Sequence, residues 1–313
     1  MNTLGFFYHP DFLKHETGEG HPERAQRVEA VFQHLLQTPL WSKMQHYQPL
    51  PAQMAWLEHV HPSTYIRWVE QQCTSGIHIL DDGDTHVCRE SFEVARLAVG
   101  AVTQAIDEVL NNHIHTAFCA VRPPGHHAGS SSAMGFCLFN NVAIGARYAQ
   151  EKYGVIRIAI VDWDVHHGNG TQEIFYDDDS VLYISLHQLP LWPGTGTAVE
   201  RGIDKGEGFT VNCPMHPGST EKEYLDAFKE TILPALKKFK PELLMISAGF
   251  DAHRDDPLAS INLTEQSYAK FTTLLTDTAA KSANKRIISV LEGGYNPHAL
   301  ATSVEHHLKA LID

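Results

Sequence analysis

The stretch Ile158-Ala-Ile-Val-Asp162-Trp-Asp164-Val-His166-His167-Gly-Asn169-Gly170 decides the fold, because an apolar run suited to a buried strand turns abruptly into two acids and two histidines. Side chains at i and i+2 of an extended chain point the same way, so Asp164 and His166 can share one cation. Four more aliphatic or β-branched runs end in polar, Gly-rich clusters. Residues 116–121 lead into Arg122-Pro-Pro-Gly-His126-His127-Ala-Gly129, and residues 181–186 into His187. Residues 243–247 lead into Ala248-Gly-Phe-Asp251-Ala-His253, and residues 287–291 into Glu292-Gly-Gly-Tyr295-Asn296. Strand ends that all carry the chemically able residues predict one edge of a parallel sheet, where open α/β folds place their sites. One metal-centred active site is expected there.

Residues 23–37, 90–111, 140–153, 221–239, 265–283 and 299–312 have the 3.6-residue apolar period and acidic starts of helices. Their alternation with the apolar runs predicts a βαβ series: an α/β fold, a single domain over residues 1–313, with a mostly parallel sheet covered by helices on both faces. The start, residues 1–10, reads as a first strand. The longest stretches without a period, 38–58, 76–89, 188–208 and 251–262, are expected to wall the site, with Pro190, Pro193, Gly194 and Gly196 stiffening one of them.

Over 313 residues the chain is 43% hydrophobic and has no apolar stretch near the ~18 residues of a membrane span, so no membrane partner is expected. The N-terminus lacks the pattern of a cleaved leader, and a cytoplasmic protein is the expectation. Five widely spaced cysteines without a CxxC support neither a disulfide scaffold nor a cysteine zinc site. A formal charge of −13 without a basic tract argues against nucleic acid and suits a cationic substrate. Among 21 histidines, His34, His46, His113 and the pair His306-His307 have no acids at ligand spacing and are expected at the surface.

A three-ligand divalent site with an open position needs a third ligand, and Asp251 is the best placed acid; capping the following segment is its alternative role. Asp162 sits deeper and is expected to orient an imidazole. His126 and His127 form a second cluster, with glycines on both sides permitting the turn that two adjacent rings need. Beside a metal they become the natural general base and acid, with Asp162 and Asn169 as orienting acceptors. Tyr295 can donate to a developing oxyanion, or serve only as a buried aromatic.

Together these residues resemble the zinc-dependent histone deacetylase family, closest to its class II branch. The blocks are His21-Pro-Glu-Arg24 through Arg27, Arg122 to Ala128, Gly135-Phe136-Cys-Leu-Phe-Asn-Asn141, Asp162 to Thr171, Pro193-Gly-Thr-Gly196, Ser247 to His253 and Glu292 to Tyr295, in order across nearly the whole chain. The resemblance implies the arginase/deacetylase fold, with one zinc ion held by Asp164, His166 and Asp251. It implies that His127 is the main base and acid, that His126 is its electrostatic partner paired with Asp162, and that Asn169 supports His127. Tyr295 would stabilise the oxyanion; the class IIa enzymes of animals carry His there. Phe136 and Trp192 match the walls around the substrate stem, where the family usually has Phe at the second position. Asp84, or in another loop alignment Asp82, matches the acid that accepts hydrogen bonds from the substrate backbone. Gly135, Gly293 and the gatekeeper Leu258 complete the implied substrate site. Ser185 and Leu186, with the carbonyls of Asp162, Asp164 and His166, match a structural potassium site, and Arg27 an interior channel that releases acetate.

The implied reaction is hydrolysis of an N-acetyl or acyl amide on a cationic amine, most simply acetyl-lysine in a protein or peptide. An acetylpolyamine amidohydrolase of the same superfamily is the nearest rival; its polyamine-selective members use an acid at the position of Leu258. A ureohydrolase with two manganese ions would need an acid at the His166-His167 step. A non-catalytic acyl-lysine binder would have no use for base, acid and oxyanion donor at once. If chains self-associate into a homo-oligomer, 188–208 is the expected contact loop.

Overall fold

The apolar runs become strands of one sheet: β1 (Leu4–Phe7), β2 (Met44–Tyr47), β3 (Thr116–Cys119), β4 (Ile158–Asp162), β5 (Val181–Gln188), β6 (Thr210–Met215), β7 (Leu243–Ala248) and β8 (Ile287–Leu291). The computed structural model describes residues 2–81 and 83–313. The strand order is β2-β1-β3-β8-β7-β4-β5-β6, and every pairing is parallel. Parallel neighbours need crossovers, supplied by α1 (Gln26–Leu36), α2 (Met54–Leu57), α3 (Ser63–Ser75), α4 (Ser91–Leu110), α5 (Asn141–Tyr153), α6 (Asn169–Phe175), α7 (Glu221–Ala227), α8 (Leu233–Phe239), α9 (Glu265–Ser282) and α10 (Pro297–Ile312).

The two-residue pleat distributes each strand between two helical layers. Phe118 of β3 meets the His307 ring of α10 at 5.6 Å on one face, while its neighbour Cys119 faces the Ala101 carbonyl of α4 on the other. α1, α9 and α10 pack together in the first layer, α4 and α5 in the second. Trp163, fully buried, lies against Tyr268, Phe271 and His307 in the first layer. Side-chain burial of this size contributes roughly 1.5–3 kcal/mol per large apolar residue, so the sheet core sets the platform on which the polar strand ends stand.

Several expectations are corrected. β6 is not among the expected strands; it contains Pro214, which lacks the N–H a central strand needs, and lies at the sheet edge where that loss is tolerated. β2 forms the other edge, so residues 38–58 hold a strand and wall nothing at the site. The helix expected over 221–239 is two helices joined by a π-helical turn, Phe228–Ile232. α3 buries Tyr65, Ile66, Val69 and Cys73 on one face, although its polar half masks the period. His307 is not at the surface: it is fully buried, between the hydroxyls of Thr272 (2.6 Å) and Ser289 (2.8 Å), and burial pushes its pKa down to about 3. His34 and His113 find Glu305 (2.7 Å) and Glu108 (3.0 Å) as partners.

Helix caps near the site have second duties. The Asn140 side chain accepts from the Ala143 N–H to start α5, and its amide nitrogen donates to the Ala128 carbonyl (3.1 Å), tying the cap to the histidine loop.

Candidate active site

The carboxyl ends of β4, β7 and β8 lie side by side, with Asp162 in register with Ser247 and Ala248 with Leu291. Just beyond them Asp164, His166 and Asp251 each offer one ligand atom within 4.8 Å of the others, all three side chains buried or nearly so. His166 Nδ1 lies 3.2 Å from Asp164 Oδ1 and 3.1 Å from Asp251 Oδ2. The second oxygens are fixed by backbone: Gly293 N–H donates to Asp164 Oδ2 (2.7 Å) and Val165 N–H to Asp251 Oδ1 (2.8 Å). Asp251 therefore faces the imidazole and caps no helix. Burial and the Asp164 carboxylate push Asp251 up to about 7. Burial opposes charge on the His166 ring, but its hydrogen bonds to the two acids override that and push it up to about 10. Two buried carboxylates and an imidazole with converging donor atoms fit a divalent ion, whose charge would offset their desolvation.

His126 and His127 lie beside this triad with ring centroids 3.9 Å apart. His126 Nδ1 is 3.0 Å from Asp162 Oδ2; burial disfavours its charged form, but Asp162 and then Asp164 raise it to about 10. His127 Nδ1 is 2.8 Å from Asn169 Oδ1. Burial, then the neighbouring His126 and His166, holds its pKa well below the usual histidine value. An amide oxygen accepts Nδ1–H, which leaves the lone pair on Nε2. The flanking glycines do not turn the chain as expected, since neither Gly125 nor Gly129 has positive φ. Gly125 instead lets the loop press on the start of α5, where a Cβ would meet Phe139 O at 2.9 Å.

A cavity of about 200 Å³ opens over these groups, lined by Asp84, His127, Gly135, Phe136, His166, Leu191, Trp192, Leu258 and Tyr295. The loops 76–89, 188–208 and 251–262 wall it as expected. Trp192, 42% exposed, stands at the mouth with its ring 4.8 Å from that of His127. Phe136 faces Tyr295 at 5.9 Å. Gly135 and Phe136 form a two-residue turn between Met134 and Cys137 with φ of 56° and 69°, the pattern of a type I′ turn. Glycine is needed at 135, where a Cβ would lie 2.5 Å from the His127 ring and 2.6 Å from Trp192. Phe136 carries backbone strain on the order of 1–3 kcal/mol. Gly293 does not line the cavity; it backs the carboxylates. Ser185 pairs with Asp162 across β4 and β5, and its hydroxyl meets His187 Nδ1 at 2.9 Å; Leu186 is buried beside it. Asp82 lies outside the described residues.

Four supporting residues were not singled out in the sequence. Glu292 Oε2 accepts the N–H groups of Gly125 (2.7 Å) and His126 (3.2 Å), holding the histidine loop; burial pushes it up to about 7. Tyr183 donates to Asp162 Oδ2 (3.0 Å). Asp256 accepts from the N–H groups of Tyr295 (2.6 Å) and Leu258 (3.0 Å). Glu23, fully buried, joins Arg27 (2.9 Å) to Arg122 (2.8 Å), and the Arg27 guanidinium lies 4.9 Å from the centre of the Tyr295 ring. A strand-end acid or an acid spaced from a block of motif residues was the available cue for Glu292 and Asp256; Tyr183 and Glu23 show their contacts only in three dimensions. His167 turns away from the triad, toward Thr195 Oγ1 (2.7 Å) and Gln172 Oε1 (3.0 Å). Among the described residues no helix is long and apolar enough to cross a membrane.

The histone deacetylase domain model matches residues 21–311. A probable deacetylase of Archaeoglobus fulgidus is 42% identical over 296 residues, 94% of this chain and 82% of the relative. The histone deacetylase-like amidohydrolase of Pseudomonas aeruginosa is 39% identical over 276 residues, 88% of this chain and 72% of the relative. The crystal structure of the HDA15 HD domain superposes with a TM-score of 0.94 at 37% identity, covering all of this chain and 90% of that one, so the sheet and its helices are the arginase/deacetylase fold. On its sequence and on its fold, the chain belongs to the histone deacetylase family.

Proposed function

We propose that this protein is a zinc-dependent hydrolase of N-acetyl amides on lysine side chains, releasing acetate and the free amine. One observation carries the reading: His166 of the ligand triad, His127 and Tyr295 line a single small cavity together with Phe136 and Trp192. Asp164, His166 and Asp251 would hold the ion, which when bound supplies Lewis acidity toward an acyl oxygen and toward water. His127, neutral and with Nε2 free, takes the proton of the attacking water. Water oxygen adds to the acyl carbon, Tyr295 donates its hydroxyl hydrogen bond to the oxyanion, and the C–N bond breaks as His127 or His126 returns a proton to the amine. Asp162 offers His126 a carboxylate and Asn169 offers His127 a neutral amide, and that difference supports a charged His126 beside a neutral His127.

Phe136 and Trp192 enclose the aliphatic stem, and Asp84 accepts N–H groups of the substrate backbone. Leu258 presents no carboxylate to hold a second ammonium, which favours lysine over polyamine substrates. A potassium ion at Asp162, Asp164, His166, Ser185 and Leu186 belongs to the same reading, supported by the β4–β5 register that brings these segments together.

Turnover of a fluorogenic acetyl-lysine peptide, lost with chelator and regained with zinc, tests the proposal. A panel of acetylpolyamines and longer acyl-lysines tests the substrate class. An inert, zinc-loaded protein would overturn the hydrolase reading, and preference for acetylpolyamines would overturn the lysine assignment.

A further inference from the structure

Two parts of the cavity wall come from chain segments about fifty residues apart. Asp84 belongs to the loop after α3, whereas Phe136 sits in the two-residue turn with both central residues at positive φ. Thr85, fully buried, stands between them. Its hydroxyl donates to Asp81 Oδ2 (2.5 Å) and accepts the Phe136 N–H (3.2 Å). The other Asp81 oxygen accepts the N–H groups of Gly83 (3.1 Å), Asp84 (2.9 Å) and Thr85 (2.9 Å), so one carboxylate holds three backbone N–H groups of the loop. The Phe136 N–H of the strained turn is thus docked on the Thr85 side chain, next to Asp84 in the loop. His21 braces the pair from the side, with Nε2 at 3.1 Å from the Asp84 carbonyl and its ring 4.8 Å from that of Phe136.

Nothing in the chemistry of hydrolysis requires Thr85, because it touches neither the triad nor the histidines. What it does is join the acid expected to hold the substrate backbone to the aromatic wall expected to hold the stem. We infer that Thr85 is a positioning residue whose hydroxyl locks Asp84 and Phe136 into one clamp, so that capture of the peptide backbone and capture of the acyl-lysine stem are a single binding event. This rests on the deacetylase reading for its substrate, though the clamp itself does not.

The test compares the full-length wild type with T85V, which keeps the shape and loses both hydroxyl bonds, and with T85S, which keeps them. With an acetyl-lysine peptide, T85V should raise KM about tenfold, the scale of one lost hydrogen bond, and leave kcat within about threefold. T85S should return KM to the wild-type range. With an N-acetyl alkylamine that has no peptide group, T85V should raise KM by less, since Asp84 then has no backbone to hold. Hydrogen exchange supplies a readout independent of turnover: the Phe136 amide should lose protection in T85V and keep it in T85S. T85S and T85V behaving alike, a loss confined to kcat, or unchanged protection of that amide in T85V would overturn the clamp. A wild type inert toward both substrates would instead overturn the deacetylase reading, and exchange at the Phe136 amide would then decide the clamp alone.

Discussion

Of the three His-His dipeptides in this chain, His126-His127 and His306-His307 are put to opposite uses by the regions that carry them. In the first, an irregular loop beyond a strand end brings both rings side by side, each fixed by a side chain from another segment. In the second, a regular helix separates consecutive side chains by about 100°. One ring enters the core between two hydroxyls, while the other stays at the edge against its own helix, with His306 Nδ1 at 2.9 Å from the Thr302 carbonyl. The backbone decides whether neighbouring histidines cooperate, and the partners decide which charge each ring holds. His126 has a carboxylate and is held charged; His307 has only hydroxyls and aromatic rings and is held neutral.

Losing the ligand geometry should have the largest effect on this contrast. Asp251→Ala should abolish turnover and lower the zinc content measured on the purified protein, with the fold retained by circular dichroism; full metal occupancy and activity would remove Asp251 from the ligand set. His127→Ala should lower kcat by ~10²–10⁴, the range of a lost general base, whereas His307→Ala should leave kcat for the same peptide within about twofold. Equal losses at the two positions would erase the distinction between them. Tyr295→Phe should cost ~10²–10³ in kcat, as for a lost oxyanion donor, with zinc content unchanged.

A smaller effect concerns stability against pH. The folded state holds His307 at about 3, against the ordinary value of 6.5, so below pH 6.5 the unfolded chain takes up a proton that the folded chain excludes. Stability therefore falls as pH drops from about 6.5 toward 3, by about 2 kcal/mol between pH 7 and pH 5 for this one group. His15, His61, His167 and His187 are likewise pushed down by burial, to about 3, 4, 3 and 4, and add to the trend. In urea unfolding at pH 7 and pH 5, His307→Asn should show a shallower pH dependence than wild type. An unchanged slope in His307→Asn would mean that its ring titrates in the core.

Much of the site was legible because period and chemistry change at the same residues. An aliphatic run that stops at Asp162 and is followed by acids and imidazoles announces a strand end and its cargo together, and the same holds at Leu291 and Tyr295. Edges were less legible: β2 and β6 are short, partly polar and, in β6, interrupted by Pro214, so their two-residue alternation is too brief to read. Supporting residues were the least legible. Thr85 and Glu23 look like ordinary polar residues in the sequence, and only long-range contacts show what they hold.

Sequence alone determined the parallel α/β plan and the gathering of acids, histidines and Tyr295 at the strand ends, while the aromatic and loop residues that wall the cavity came only with the family resemblance. The plan and the gathering follow from local rules: side-chain alternation, helical period and ligand chemistry. Tertiary structure decided which partner each paired histidine meets, which acids converge on His166 and which hold other groups, and how a loop and a strained turn share one wall of the cavity. Those outcomes depend on partners far apart in the chain, and on how burial weighs against charge once they meet.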